Sequence, residues 1–313
     1  KLVLKNFIIY SLPNILVKLV PFLTLPVTTK YLNISEFGYI ALFNMCILPF
    51  KILADYGVGY VMYAKWFDFD KKERGELLIS LLIVGSLMML FSITIVLTFA
   101  DLLFTFLFNN EWYFIKPLTI FLVISAISSV PQLIFQFWVV VEKRAKLNSI
   151  LRVIEIILSA SVTLIVVVHT QNYEFIIMGT VFVTGLISLL NLIYLIFNIQ
   201  LKLDIKYFKL IFNIGWPIFF RSFFNHARLQ FDKIFVANLF GSGQFALYNL
   251  AGRFNQIIGE YKNNLEKAYQ PLFFEGLSKN DVDLINFRKV FFSYGYGVLT
   301  ISSFLILFGK QTL

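Results

Sequence analysis

The stretch LLISLLIVGSLMMLFSITIVLTF, residues Leu77–Phe99, holds no charged side chain. As a helix it is long enough to cross the hydrocarbon core of a bilayer, about 30 Å thick. Three more stretches share that property: Pro117–Val141, Phe175–Ile199 and Val290–Gly309. Five others keep the length but carry polar residues: Asn6–Thr29, Phe37–Tyr63, Leu147–Val168, Phe208–Leu239 and Gln244–Lys267. None alternates as a strand would, and a segment in lipid must satisfy its own backbone hydrogen bonds. The reading is therefore all-α, a polytopic membrane helix bundle of about nine transmembrane helices. The first span contains Pro13, Pro21 and Pro26 and is expected to bend. Composition agrees. Hydrophobic residues make up 58% and charged residues 14%, with mean hydropathy +0.78. A soluble globule of this size cannot hide that much apolar surface. A soluble enzyme, a disordered chain and a disulfide-stapled secreted domain are excluded. The single cysteine, Cys46, lies inside an apolar run, so neither an intrachain disulfide nor a cysteine metal cluster is expected.

The connections set the expected orientation. Lys1, Lys5, Lys65, Lys71, Lys72, Arg74, Lys143, Arg144, Lys146, Lys202, Lys206, Lys209, Lys262, Lys267, Lys279, Arg288 and Lys289 fall on one side of the membrane. The other side holds Lys30 and Lys116. The positive-inside rule places the first side, and the N-terminus, in the cytoplasm. The longest external connection is expected to be a loop, Ala100–Lys116. The largest internal one, Ala268–Lys289, is expected to include a short surface helix.

The pattern restarts near residue 208. PVTTKYLNISEFG (Pro26–Gly38) and FDKIFVANLFGSGQFALYNLA (Phe231–Ala251) each read as a long helix, a very short turn with Ser, then Phe and a new helix. Phe37 and Phe245 share an offset with Leu42 and Leu250. The expected organisation is a six-helix lobe over residues 1–201 and a second lobe over 202–313, incomplete at three helices. Transporters built from repeats bind their substrate where the repeats meet.

Basic residues inside the spans sharpen this. A Lys or Arg at the bilayer centre costs about 2.5–3.5 kcal/mol, so several of them demand water, partners or a ligand. Arg221, Asn225, Arg228 and Asp232 recur at steps of four, three and four, one face of a helix. Asn249, Arg253, Gln256, Glu260, Asn263 and Lys267 recur likewise. Asn6, Tyr10, Asn14 and Lys18 mark the first span; Asn44, Lys51 and Asp55 mark the second. The expectation is two bundles around a water-filled, cationic cavity. Lys18, Arg221, Arg228, Arg253, Asn14, Lys51 and Asn249 are the candidate substrate-binding residues. Asp55 and Asp232, each with a basic neighbour four residues before, are the candidate coupling acids. Lys51 with Asp55, and Arg152 with Glu155, are spaced to neutralise each other within one helix. The line Ser125, Ser128, Gln132, Gln136 reads as cavity lining or interhelix glue. His226 reads as structural. No Walker loop, metal-ligand cluster, nucleophile elbow or large catalytic loop appears, so no metal, no cofactor and no enzymatic activity are expected.

Two stretches, LPFKILADYGVGYVMYAKW (Leu48–Trp66) and DKIFVANLFGSGQFALYNLAGRF (Asp232–Phe254), resemble the O-antigen and capsule polysaccharide flippases. These belong to the multidrug/oligosaccharidyl-lipid/polysaccharide exporter superfamily. The resemblance implies a two-lobed exporter of 12 or more helices in the bacterial cytoplasmic membrane. It implies alternating access that moves undecaprenyl-diphosphate-linked oligosaccharide to the outer leaflet for surface polysaccharide biosynthesis. The implied partners are that lipid-linked glycan, membrane lipids and other glycan-assembly proteins, with no nucleic acid. Coupling to a proton or sodium gradient is the role expected of the acids Asp55 and Asp232. Alternatives within the superfamily are a peptidoglycan-precursor flippase and a multidrug cation exporter. The second would need acids in the cavity, where bases outnumber them here. A membrane glycan polymerase or ligase would need catalytic acids in a large outer loop.

Overall fold

The computed structural model describes residue 20, residues 23–198 and 203–278, and residues 288, 291–292, 295–300 and 303. For residues 54, 145, 253–269, 271–272 and 276–278 it describes the backbone alone. Among the described residues every regular element is a helix. Residues 23–31 are helical. They are followed by α1 (Ile34–Asp55), α2 (Val58–Lys65), α3 (Lys71–Phe108), α4 (Thr119–Val141), α5 (Ala145–Thr170), α6 (Tyr173–Asn198) and α7 (Lys206–Ser278). Gly241, at φ 77° and ψ 178°, breaks α7 into two arms. This is the turn expected between the seventh and eighth spans.

Local chemistry starts the helices. The Asn33 side chain accepts from the Glu36 amide at 2.9 Å, and the Glu36 carboxylate accepts from the Asn33 amide at 2.9 Å. Asp70 and Glu73 repeat this reciprocal cap ahead of α3, at 2.8 and 3.2 Å. Each cap satisfies amide groups that a helix start leaves without a carbonyl. The corner between α1 and α2 depends on Gly57, whose φ is +73°. A β-carbon there would also stand 2.8 Å from the α-carbon of Gly215, because α7 crosses this corner backbone to backbone.

Four stretches among the described residues are long and apolar enough to cross a membrane: Ile34–Leu53, Lys71–Val141, Lys146–Thr170 and Tyr173–Asn198. The second holds both α3 and α4, which pack side by side. About half of the expected span Val290–Gly309 and most of Asn6–Thr29 lie outside the described residues; within the former, residues 291–292 and 295–300 are helical. α1 packs on α7, α3 and α4, while α6 packs on α4 and α5. Leu42, Phe50, Val58, Leu77, Leu81 and Ile134 are fully enclosed at the centre. Outward, α3 exposes Leu90 and Phe91, α5 exposes Ile150 and Ile157, and α6 exposes Phe182 and Leu189. Hydrocarbon accepts these side chains without cost. Burial from water therefore cannot drive these helices together, and close packing and interhelix hydrogen bonds take over. Gly179 lets α6 approach Val162 of α5, and Ser188 Oγ donates to the Ser128 carbonyl at 2.6 Å.

The bundle has two polar ends. At the lysine-rich end Trp66 Nε1 donates to Glu142 at 3.2 Å, Arg74 Nε donates to the Trp66 carbonyl at 2.8 Å, and Lys143 pairs with Glu275. At the other end Tyr39 stacks on Phe114 with ring centres 4.7 Å apart, and the Tyr173 hydroxyl donates to the Phe114 carbonyl at 3.0 Å. The segment expected as a loop, Ala100–Lys116, is mostly helical. α3 bends at Phe99 and continues to Phe108, and short turns of helix fill 109–118. The cause is apolar packing: Phe104 and Trp112 sit 4.5 Å apart by ring centre, and both are buried. Asp101 ties the segment down, accepting from Lys116 Nζ at 2.8 Å and Trp112 Nε1 at 3.0 Å.

Gly57→Ala should cost about 2 kcal/mol or more through the forced left-handed backbone and the clash with Gly215. Thermal unfolding in detergent micelles should show a lower Tm, and an unchanged Tm would contradict the corner. A second expectation concerns pH. The hydrogen bond from Lys116, and then that from Trp112, hold the Asp101 carboxyl below its usual range. A depressed carboxylate contributes stability above its unfolded pKa and loses it as pH falls through the folded value. Hydrogen exchange of residues 101–116 should therefore stay slow as pH falls through the ordinary carboxylate range, and quicken only below it. In Lys116→Met the quickening should move to higher pH.

Candidate functional site

A cavity of about 460 Å³ lies inside the first six-helix region, walled by residues of the 20–28 segment, α1, α4, α5 and α6. Most of its polar wall is hydroxyl. Thr28, Thr163, Thr180 and Thr184 each give their proton to a main-chain carbonyl of their own helix, at 3.0, 2.8, 2.9 and 3.0 Å. A hydroxyl has one proton to give, so these four present lone pairs to the cavity. Charge is contributed by Lys51 from α1 and by Arg152 and Glu155 from α5. Glu155 Oε1 accepts from Gln132 Nε2 of α4 at 2.7 Å. Among the described residues neither Lys51 nor Arg152 has a hydrogen-bond or ion-pair partner in the protein.

α5 builds this arrangement by periodicity. Arg152, Glu155, Ser159 and Thr163 recur at three and four and line the cavity, while Ile150, Ile154, Ile157 and Ile165 face outward. The helix is thus a thin wall between a polar space and hydrocarbon. A second cavity, about 260 Å³, lies between α1 and the two arms of α7, with Asn44, Gln230, Lys233 and Asn249 as its polar lining. Phe37, Ile40 and Asn44 line both spaces, so α1 is the partition between them.

The structure brings some predicted residues together and not others. Lys51 lines the first cavity and Asn249 the second. Arg221, Asn225, Arg228 and Asp232 form the expected single face of α7, and all four are exposed on it. Arg221 and Arg228 are not among the residues lining either cavity; Arg228 Nη2 donates to Asn225 at 3.4 Å. Asp232 accepts from the Tyr248 hydroxyl, which joins the two arms of α7. Asp55 does not pair with Lys51; it lies over the Gly59 amide at a long 3.5 Å. His226 Nδ1 meets the Ser222 carbonyl at 2.8 Å, which requires the proton on that nitrogen. Asn14, Lys18 and the Arg253 side chain lie outside the described residues.

Sequence reasoning assigned Arg152 and Glu155 to each other and so left them out of the site. The i,i+3 spacing permits that pair, but Gln132 on a neighbouring helix takes the carboxylate. The overlooked signal is the recurrence of hydroxyls four apart: Thr24 and Thr28, Ser159 and Thr163, Thr180 and Thr184. Four residues is one turn, so each pair marks one polar stripe on an otherwise apolar helix. Gln132→Leu should strand the Glu155 carboxylate and lower stability by about 1–3 kcal/mol. Changing both residues to Leu should recover much of that loss, and thermal unfolding of the single and double variants compares them directly.

Comparison with known proteins supplies one match. The chain matches the model of a family described as polysaccharide biosynthesis protein over residues 3–276. No curated protein and no solved structure matches it.

Proposed function

This chain belongs to the polysaccharide biosynthesis protein family, a family of membrane flippases, and from that premise we propose that it moves undecaprenyl-diphosphate-linked oligosaccharide from the cytoplasmic to the outer leaflet of a bacterial cytoplasmic membrane. The observation that carries this reading is the excess of basic over acidic side chains inside membrane-spanning helices, with Glu155 the one carboxylate beside Lys51 and Arg152 in the first cavity's lining. Lys51 and Arg152 face a cavity, and Arg221 stands on an open face of α7. Such charges are held in a bilayer at a cost of a few kcal/mol each unless water or an anionic ligand meets them. An anionic, hydroxyl-rich head group supplies both the charge and the hydrogen-bond donors that the first cavity's wall of lone pairs can accept.

In this reading the N-terminus is cytoplasmic, residues 1–201 form one lobe and 202–313 begin the second. Arg221, Arg228 and Arg253 engage the diphosphate, with Lys18 and Asn14 approaching from the first lobe. Arginine suits that role because its planar fork of donors matches phosphate oxygens and stays charged. Lys51 in the first cavity and Asn249 in the second line the spaces offered to the sugars. A ligand bridging both lobes binds the closed form more tightly than the open one, which any ligand-driven change of state requires. Asp55 and Asp232 couple the cycle to a proton or sodium gradient. Asp232 is suited to this by its Tyr248 contact, which a bound proton would reorganise.

At matched protein levels, export of surface glycan should fall from wild type to Arg221→Lys to Arg221→Ala. Lysine keeps the charge and loses the fork; alanine loses both. Full export by the alanine variant would remove Arg221 from the substrate site.

A further inference from the structure

At the end of the bundle opposite the lysine-rich one, three parts of the first half converge on residues 238–243 of α7. Glu111 Oε1 accepts from the Ser242 amide at 3.0 Å. That amide opens the second arm of α7, because the backbone at Gly241 leaves the helix and no carbonyl one turn earlier can receive it. A carboxylate at this point caps the helix and complements its positive end. Asn238 Nδ2 donates to the carbonyls of Phe106 and Leu107 at 3.0 and 3.1 Å, in the last turn of α3, where helix carbonyls lack partners of their own. Gly38 of α1 lies so close to the Ser242 carbonyl that no β-carbon fits between them. Phe37 and Phe245, adjoining this contact on either side, line the second cavity. The junction therefore adjoins that cavity at one end.

The contact is polar and incompletely satisfied. Glu111 Oε2 is buried and meets no donor of the protein. A space of about 300 Å³, bordered by Ser35, Glu111, Gly241 to Gln244 and Leu247, lies against it. Separation would let water reach both carboxylate oxygens and offset the lost bond to Ser242. A junction whose opening is so compensated can exist in two states close in energy, as a gate must. We infer that Glu111 and residues 238–243 form a latch sealing the outer end of the passage between the two halves, and that each transport cycle opens it. The assignment of this end as outer, and of the passage as a glycan route, rests on the flippase reading above.

The test is a cross-link across the latch in the full chain, in native membranes. A β-carbon at Gly243 would lie 3.6 Å from Ser35 Oγ and 3.3 Å from Ile34 Cγ2. Ser35→Cys with Gly243→Cys should therefore form a disulfide on mild oxidation. Glycan export should fall at least tenfold while the bond stands and return on reduction. Failure to cross-link, or full export with the bond intact, would overturn the latch. Glu111→Gln keeps the shape and loses the charge; in the double-cysteine background it should slow cross-linking severalfold. Asn238→Ser, scored on the protein that accumulates, should do the same. Unchanged rates in both variants would refute the assigned contacts. Cross-linking needs no glycan. A chain that cross-links with this dependence yet exports no glycan in any form would refute the flippase reading and support the latch.

Discussion

Hydrocarbon offers no hydrogen bonds, and most of this structure follows from that constraint. Each backbone amide in the membrane must find its carbonyl within the same segment, so every regular element among the described residues is a helix. The same constraint governs the few places where a helix stops. At Gly241 the broken ladder leaves the Ser242 amide without a carbonyl, and a side chain 131 residues earlier in sequence supplies the acceptor. At the end of α3 the spare carbonyls of Phe106 and Leu107 are met by Asn238. Helix ends thus become the points where distant parts of the chain are joined.

Helix association follows a second rule. Apolar faces gain nothing from each other that lipid does not already provide, so close approach decides which helices touch. α1 is pinned to α7 near both of its ends, at Gly38 against Ser242 and at the Gly57 corner against Gly215. Between those points α1 carries Ile40 and Asn44, which with Phe37 beside Gly38 border both cavities. One helix therefore separates the two spaces and ties the two halves together. Any movement between the halves must alter those glycine contacts or the neighbouring ones of α7 with α2 and α3.

Charge follows a third rule. An ion in a membrane helix faces a partner, a ligand or water. Glu155 has Gln132, Asp232 has Tyr248, and Lys51 and Arg152 face a hydroxyl-bearing cavity. Four hydroxyls around that space, those of Thr28, Thr163, Thr180 and Thr184, give their protons to their own helices. Their lone pairs are left to receive donors from whatever enters. Electrostatics and hydrogen-bond stoichiometry thus favour a ligand that carries both negative charge and hydroxyl protons.

The sequence alone determined the helical class, the apolar lengths, the turn near Gly241, and the single polar face holding Arg221, Asn225, Arg228 and Asp232. All of these are properties of one helix and its period of 3.6 residues, so they need no knowledge of neighbours. The family resemblance was legible too, because its motifs are contiguous. Only the tertiary structure decided which helix faces meet. It separated Lys51 from Asp55, gave Glu155 to Gln132 rather than Arg152, and brought Arg152 to the cavity holding Lys51. It also turned the 100–116 segment into helix by burying Phe104 and Trp112. Spacing along a helix lists the partners a side chain can reach. Which one it takes depends on the rotation and approach of neighbouring helices, fixed by contacts such as Gly38 and Gly57 that are far apart in sequence.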